Sequence, residues 1–217
     1  MTSGAAPGRT GARPQEGALD RPRDPLPTRI EDLPSLPAAY VDVLDAVTGG
    51  KLILLTEEEL AGQLGVPLIE AAHIGEAREL SAARSAVARA AAERFPDWAP
   101  RIDVRTPVCE ALVNALRHAG GGTYQLFAHD DRLQVLIRDE GPGIDFRTLP
   151  RATLQRGFST ASSLGMGFTI MLQVCERVLL STRPGRTSVV LEFAARRSVA
   201  ERLDEAQRLD EVAAEAS

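Results

Sequence analysis

The chain has 217 residues, of which 44% are hydrophobic and 25% are charged; this is close to the average soluble globular protein and excludes a chain that is disordered throughout. The length allows one domain with appendages or two small domains, and it is too short for a large multidomain machine. Lys and Arg number 25 against 30 Asp and Glu, a net charge of −5. Without a contiguous basic block, that charge argues against nucleic acid as the main partner.

The two cysteines, Cys109 and Cys175, are too few and too far apart for a disulfide framework or a zinc site. No apolar run approaches the ~20 residues that span a bilayer. The N-terminus also does not have the pattern of a signal peptide. We therefore expect a cytoplasmic protein that is neither exported nor embedded in a membrane.

The N-terminal part divides into two segments. Residues 1–37 are rich in Gly, Pro, Ala and Arg with almost no aliphatic periodicity, so we expect a disordered tail. Residues 38–65 are predicted to be a short helical segment of unknown role. One helix is expected around 39–47, and a second one after Thr56, which is a good N-cap residue.

The remaining elements alternate between helical and strand patterns. We predict a strand at 66–74 and a helix at 76–95, then a second helix at 106–119 with Thr106 and Pro107 at its N-cap and first turn. After these, the pattern predicts two strands that form a hairpin, a third helix and two final strands, at 123–129, 132–138, 166–177, 178–182 and 187–193. This order predicts an α+β sandwich. Residues 196–217 alternate charges and alanine, which is typical of an exposed helix or a tail.

A first polar stripe lies in the predicted helix at 106–119. Glu110, Asn114 and His118 are each four residues apart, so they share one helix face. A carboxylate can order a water or accept a hydroxyl proton, and an amide oxygen one turn away can bind a hard cation such as Mg²⁺. Taken alone, the same spacing also fits an ordinary solvated helix face.

Two glycine-containing stretches follow. Asp139 stands at the end of a predicted strand, ahead of Gly141 and Gly143. Glycines let the backbone come close to a ligand, and a carboxylate there can accept a hydrogen bond from the exocyclic amine of a purine. Further on, a small polar loop leads into Gly165 and Gly167 at a helix start, where free backbone N–H groups favour phosphate. Each stretch alone also fits a plain turn or loop.

Together and in this order, the three stretches resemble the N, G1 and G2 boxes of the ATPase superfamily shared by gyrase, Hsp90, histidine kinases and mismatch-repair proteins. The sequences Ile-Arg-Asp-Glu-Gly-Pro-Gly-Ile and Gly-Met-Gly-Phe-Thr-Ile-Met are similar to those of the anti-sigma factor serine/threonine kinases of bacterial partner-switching systems. The resemblance implies a two-layer α/β sandwich of the Bergerat ATP-binding type over residues 66–195. In such a sandwich a mixed, mostly antiparallel sheet is covered on one face by helices.

The resemblance also implies a role for individual residues. Glu110 would be the general base, Asn114 would coordinate Mg²⁺ that bridges the phosphates of ATP, and Asp139 would accept the adenine amino group. Other nucleotide-binding positions would be those that give the base room, those that hold phosphates and those in a closing lid: Gly141, Gly143, Ile144, Leu164, Gly165, Met166, Gly167, Ser159 and Thr160. His118 matches no required position, so we expect a packing or surface histidine.

The same resemblance implies an ATP-dependent kinase whose protein substrate is an anti-sigma-antagonist-type, STAS-like partner. A sigma factor is a further possible partner, and homodimers are usual in this branch. One alternative is the catalytic fragment of a histidine kinase, although residues 1–65 contain no histidine to accept a phosphate. Another is a nucleotide-regulated binder that transfers nothing, or one with a DNA-binding helix-turn-helix at 55–80.

Overall fold

A computed structural model describes residues 38–145, 149 and 165–194. The predicted tail at 1–37 and the predicted charged segment at 196–217 lie outside these residues. Among the helices of the described part, none combines the length and the apolarity that a membrane span requires.

The described residues build one six-stranded sheet in the order β1-β5-β6-β4-β3-β2. The strands are β1 (Leu52–Leu54), β2 (Val66–Ile74), β3 (Gly122–His129), β4 (Arg132–Asp139), β5 (Arg177–Arg183) and β6 (Arg186–Ala194). Strand β1 pairs with β5 in parallel, and the other neighbouring strands pair antiparallel. The sheet is therefore mixed and mostly antiparallel, as predicted.

Within the described residues, the α-helices with defined bounds are α1 (Ala38–Thr48), α2 (Glu57–Gly62), α3 (Leu80–Arg94), α4 (Arg105–Ala119) and α5 (Gly165–Val174). Single 3₁₀ turns at Ala77–Glu79 and Ala99–Arg101 precede α3 and α4. The main hydrophobic core lies between one face of the sheet and helices α1, α3, α4 and α5. These layers confirm the predicted α+β sandwich.

The side chains of β4 alternate between two hydrophobic clusters, one on each face of the sheet. Leu133, Val135 and Ile137 are buried in the main core, whereas Leu136 belongs to a smaller cluster. Because successive side chains of a strand point to opposite faces, the smaller cluster lies on the other side of the sheet. Leu60 of α2 is fully buried in it. Helix α2 thus covers part of the face opposite the main helical layer.

The N-terminal segment contains a strand that the sequence analysis missed. Leu52–Leu54 is only three residues long, and so short an apolar run has no period that separates strand from helix. These three residues form a strand because they pair in parallel with the neighbouring strand β5. The segment also contains the predicted cap: Thr56 Oγ1 accepts a hydrogen bond from the Glu59 amide, and the Glu59 carboxylate accepts one from the Thr56 amide.

A buried polar network holds the N-terminal segment on the sheet. The side-chain oxygen of Gln134 accepts a hydrogen bond from the Gly65 amide, and its Nε2 donates to the Gln63 carbonyl and to Glu192. The Glu192 side chain is fully buried and receives a 2.6 Å bond from Arg177 Nε. Buried charges need such partners, and the bonds from Gln134 join residues 63 and 65 to β4 and β6.

Helix α4 begins one residue earlier than predicted, and Thr106 as its N-cap is wrong. The Asp103 carboxylate accepts hydrogen bonds from the backbone N–H groups of Arg105 and Thr106, at 3.0 and 3.1 Å. Asp103 thus provides the acceptor that Thr106 was expected to provide. Partial burial raises the pKa of Asp103, but hydrogen bonds from the Thr106 side chain and from the two amides, with the Arg105 charge, lower it overall. Pro107 lies in the first turn, as predicted.

Helix α5 ends at Val174, three residues before the predicted end. Lys51 reaches this end, where its Nζ donates to the carbonyls of Leu172 and Cys175, both at 2.9 Å. A cation at a helix C-terminus satisfies free carbonyls and favours the helix dipole. Lys51 is the only lysine of the chain. It helps to fix the C-terminal end of α5, the helix that begins at Gly165.

The helix-turn-helix interpretation is wrong. Where a recognition helix would follow α2, residues Val66–Ile74 form strand β2, which pairs antiparallel with β3. Side chains on a strand at the edge of a sheet cannot enter a major groove in the way that such a motif requires.

Candidate functional site

The polar face of α4 packs against the first turn of α5. A Cβ atom added to Gly167 would lie 3.1 Å from Glu110 Oε2 and 3.3 Å from Asn114 Nδ2. Glu110, Asn114 and His118 are all partly buried. The stripe is therefore not an ordinary solvated helix face, and the structure brings together the first and third of the stretches that the sequence analysis selected.

A cavity of about 250 Å³ lies between α4, α5 and the sheet. Its walls are mainly apolar, with a few polar groups; the lining residues include Ala111, Ile137, Phe168, Met171, Val189, Asn114, His118, Asp139, Gly143, Ile144 and Thr187. Apolar walls with a few convergent polar groups are typical of small-molecule sites. Residues of the first and second predicted stretches line the cavity, and so does Phe168 of the third. All three stretches therefore meet at this cavity.

Asp139 is the acid at the sheet end of this cavity. It is the last residue of β4, and its Oδ1 accepts a 2.9 Å hydrogen bond from the Gly141 amide. Burial raises the pKa of Asp139, while the Gly141 hydrogen bond and the nearby His118 oppose that rise. In its ionised form the carboxylate can only accept hydrogen bonds, which suits a ligand that presents an amine.

The loop after Asp139 packs too closely for side chains at its glycines. A Cβ atom on Gly141 would lie 2.9 Å from Asp139 Oδ1 and 3.0 Å from Ala119 Cβ. The Gly141 carbonyl accepts a hydrogen bond from the Gly185 amide, and the Ile144 amide donates to Thr182 Oγ1. These bonds fix the loop against β5 and the β5–β6 turn.

Gly143→Ala is expected to lower the free energy of unfolding by about 1–3 kcal/mol. Gly143 has φ +83°, and its added Cβ would lie 2.8 Å from the carbonyl carbon and oxygen of Arg183. Urea unfolding followed by circular dichroism measures the change. Gly49→Ala is the matched control, because Gly49 also has a positive φ, +61°, but its Cβ would meet nothing within 4 Å. Equal stability of the Gly143 and Gly49 variants would contradict the close packing of the loop.

The stretch that is predicted to bind phosphate is described only in part. Gly165, Met166 and Gly167 are the first three residues of α5, where backbone N–H groups have no intrahelical partner and favour an anion. Ser159, Thr160 and Leu164 lie outside the described residues.

The donor set around Asn114 fits a magnesium ion that is shared with a ligand. Among residues 38–145, 149 and 165–194, no group of three or more His, Cys, Asp or Glu side chains could hold a metal by itself. Mg²⁺ usually binds to one or two protein oxygens and completes its shell with waters and substrate phosphates. Asn114 lines the cavity, and an amide oxygen is an appropriate protein ligand for such a site.

Several cavity residues escaped the sequence analysis. Thr187 and Val189 are two apart on β6 and therefore share a face, and Phe168 and Met171 are three apart on α5. Their spacing indicates a buried face and cannot separate a core position from a cavity wall. The polar side chains on the lining that were not predicted as site residues are His118, Asp145 and Thr187.

Comparison with known proteins gives a consistent result. The histidine kinase-like ATPase domain family matches residues 75–193. An anti-sigma F factor of Caldanaerobacter subterraneus subsp. tengcongensis is 30% identical over 131 residues, which cover 57% of this chain and 90% of that protein. An anti-sigma F factor of Shouchella clausii is 33% identical over 110 residues, which cover 48% of this chain and 75% of that protein.

Among solved structures, the Acinetobacter baumannii histidine kinase AdeS aligns with a TM-score of 0.32 and 13% identity, over 77% of this chain and 81% of that chain. That alignment is too loose to support a conclusion. The family match spans more than half of the chain, and the first relative is covered almost completely. The chain therefore belongs to the histidine kinase-like ATPase domain family, in its anti-sigma factor kinase branch.

Proposed function

We propose that the protein is an ATP-dependent serine/threonine kinase that acts as an anti-sigma or partner-switching regulator. It transfers the γ-phosphate of ATP to a serine or threonine of an anti-sigma-antagonist-type, STAS-like protein. The observation that carries the proposal is the packing of Glu110 and Asn114 against Gly167, beside a cavity that ends at Asp139. The site thereby combines an acid, an amide, a helix start and a cavity of about 250 Å³.

In this proposal the adenine enters the cavity with its amino group toward Asp139. The apolar walls exclude water from the base, and the loop through Gly141, Gly143 and Ile144 fixes the position of the carboxylate. The phosphates then extend toward Gly167 and the N–H groups at the start of α5. Asn114 would hold Mg²⁺ through its amide oxygen, and the bound ion would supply positive charge for the phosphates.

Glu110 is the proposed general base. It accepts the proton of the attacking serine or threonine hydroxyl while the new oxygen–phosphorus bond forms and the bond between the γ-phosphorus and the bridging oxygen of ADP breaks. Its carboxylate lies close enough to the start of α5 that a Cβ on Gly167 would touch it. The helix that presents the base is thus also packed against the element that receives the phosphates.

The proposed partners follow from the branch and from the relatives that are named anti-sigma F factors. We propose a STAS-like substrate, a sigma factor as a second partner, a homodimer and a cytoplasmic location. We also propose that the ATPase domain occupies residues 66–195. The segment at 38–65 supports it, since β1 extends the sheet and Lys51 caps α5.

Calorimetric titration with MgATP tests the first part of this proposal, and we expect saturable binding at one site per chain. Phosphotransfer is then measured with γ-labelled ATP and a purified STAS-like antagonist, and capture of that antagonist is compared in ATP and in ADP. Folded protein that takes up no MgATP would refute the proposal. Binding without transfer to any serine or threonine would refute its kinase part.

A further inference from the structure

The side chain of Lys51 links the N-terminal segment to the helix that forms one wall of the candidate nucleotide cavity. Its Nζ donates hydrogen bonds to the carbonyl oxygens of Leu172 and Cys175, both at 2.9 Å. Lys51 lies outside the part of the chain that matches the ATPase domain family, which begins at residue 75. The family match therefore assigns no role to this contact.

The two carbonyls belong to the C-terminal end of α5. This helix ends at Val174, and the last carbonyls of a helix have no partner within the helix. The Lys51 ammonium satisfies two of the carbonyls at this end, and its positive charge also favours the negative end of the helix dipole. Leu172 and Cys175 are both buried. Loss of the ammonium would therefore leave two carbonyl oxygens with poor access to water, which is unfavourable.

The same end of α5 contributes to the apolar wall of the cavity. Phe168 and Met171 line it, and Met171 directly precedes Leu172 in the chain. The Met171 carbonyl accepts a 2.9 Å hydrogen bond from the Cys175 amide, so a single helical turn connects the contact with Lys51 to the cavity wall. A shift of this turn would move the Met171 side chain relative to the strands that also line the cavity.

Helix α1 brings the same segment to a second wall of the cavity. Tyr40 is buried in the main core. Burial, together with the negative charge of Asp145, raises the pKa of the Tyr40 hydroxyl to about 12, so α1 packs near Asp145, and Asp145 lines the cavity. Residues 38–54 thus approach the cavity on two sides, at the loop that follows Asp139 and at the end of α5.

Resting on the proposed function, we propose that Lys51 is a positioning residue for the nucleotide. By holding the C-terminal turn of α5, it keeps the Met171 wall in the position against which MgATP packs. Lys51 is not among the described residues that line the cavity, so it acts through the helix and not by contact. Because Lys51 holds the end of α5 that is remote from Glu110 and Gly167, its loss weakens nucleotide binding and leaves the transfer step unchanged.

The test compares Lys51→Met and Lys51→Arg with wild type by calorimetric titration with MgATP and MgADP. Methionine keeps an unbranched apolar stem but cannot donate a hydrogen bond, whereas arginine keeps the charge and the donors. We expect Lys51→Met to bind both nucleotides about fivefold more weakly, as for loss of charged hydrogen bonds at a helix end. Lys51→Arg should restore most of the affinity. Phosphotransfer by Lys51→Met should show a raised KM for MgATP and an unchanged kcat.

Leu60→Ala is the control that separates positioning from stability. Leu60 is fully buried in the smaller cluster, on the face of the sheet opposite α5. Its truncation lowers the free energy of unfolding but should leave α5 in place. Urea unfolding measures the stability of each variant. At a temperature where all of them are folded, Leu60→Ala should bind MgATP like wild type.

Hydrogen exchange in the wild-type protein tests the same link from the nucleotide side, because coupling between two sites is reciprocal. MgATP should slow exchange of the Cys175 amide, which closes the last turn of α5. The Leu60 amide, which donates to the Thr56 carbonyl in α2, should exchange at the same rate with and without nucleotide. This measurement needs no variant, so it decides the matter even if Lys51→Met fails to fold.

Several results would overturn the assignment. Equal MgATP affinity of Lys51→Met and wild type would do so, as would an unchanged exchange rate at Cys175. An equal loss of affinity in Leu60→Ala would make the effect one of stability alone, and a lowered kcat at unchanged affinity would place it on the transfer step. Wild-type protein that binds no MgATP would refute the proposed function as well. Binding without transfer would refute only its kinase part, because the affinity and exchange measurements do not require transfer.

Discussion

Asp139→Asn is expected to weaken MgATP binding about 100-fold, because a hydrogen bond between a ligand amine and a charged, half-buried acceptor is lost. The asparagine amide is nearly isosteric but carries no charge, and its NH₂ group opposes the amino group of the base. The Gly141 amide also loses its charged acceptor, although the amide oxygen of asparagine can replace it. Calorimetric titration of both proteins with MgATP measures the effect.

Asp130→Asn is the matched control for this variant. Asp130 is exposed at the β3–β4 turn with φ +54°, a conformation that asparagine adopts as easily as aspartate. The control should therefore bind MgATP like wild type. If Asp139→Asn bound as tightly as Asp130→Asn, the base would not lie against Asp139, and the orientation proposed for the nucleotide would be wrong.

The same carboxyl predicts how binding depends on pH. Burial raises the pKa of Asp139, so the group becomes protonated at a higher pH than an ordinary aspartate does. Only the ionised form accepts a hydrogen bond through both oxygens. MgATP affinity should thus fall as the pH is lowered through this raised pKa, and this acid limb should be absent from Asp139→Asn.

The helices and strands were predictable where a long segment of periodic hydrophobicity, or a residue that ends or caps an element, marks their bounds. The strand Val66–Ile74, the β3–β4 hairpin and the Thr56 cap all follow from local patterns. Strand β1 does not, because its three apolar residues acquire a strand conformation only by pairing with β5. The start of α4 depended on Asp103, a side chain that precedes the periodic region.

The candidate site, like the fold, was predictable from the sequence only in part. Glu110, Asn114 and Asp139 were identifiable because their chemistry and order form a pattern that resembles a known family. Residues such as Thr187 and Phe168 are on the cavity wall only because three separate elements converge there. No spacing within a single element carries that information. That His118 lines the cavity is likewise visible only in three dimensions.

Glu110→Gln is expected to lower the rate of phosphotransfer roughly 100- to 10,000-fold, the range for loss of a general base. The amide of glutamine cannot accept the proton of the attacking hydroxyl. Binding of MgATP should persist or tighten slightly, because one negative charge near Gly167 and the phosphates is removed. Single-turnover transfer of labelled phosphate to the STAS-like substrate gives the rate, and calorimetry gives the affinity.

Glu93→Gln makes the same exchange on the exposed surface of α3 and should transfer phosphate at the wild-type rate. Transfer by Glu110→Gln at that same rate would exclude Glu110 as the base. Loss of MgATP binding in Glu110→Gln would instead make it a binding residue. A wild-type protein that binds MgATP but never transfers phosphate would favour a nucleotide-regulated binder. Asp139 and Glu110 lie at opposite ends of the site. If the Asp139 variant loses MgATP binding while the Glu110 variant loses only phosphotransfer, the protein is a kinase and not a nucleotide-regulated binder.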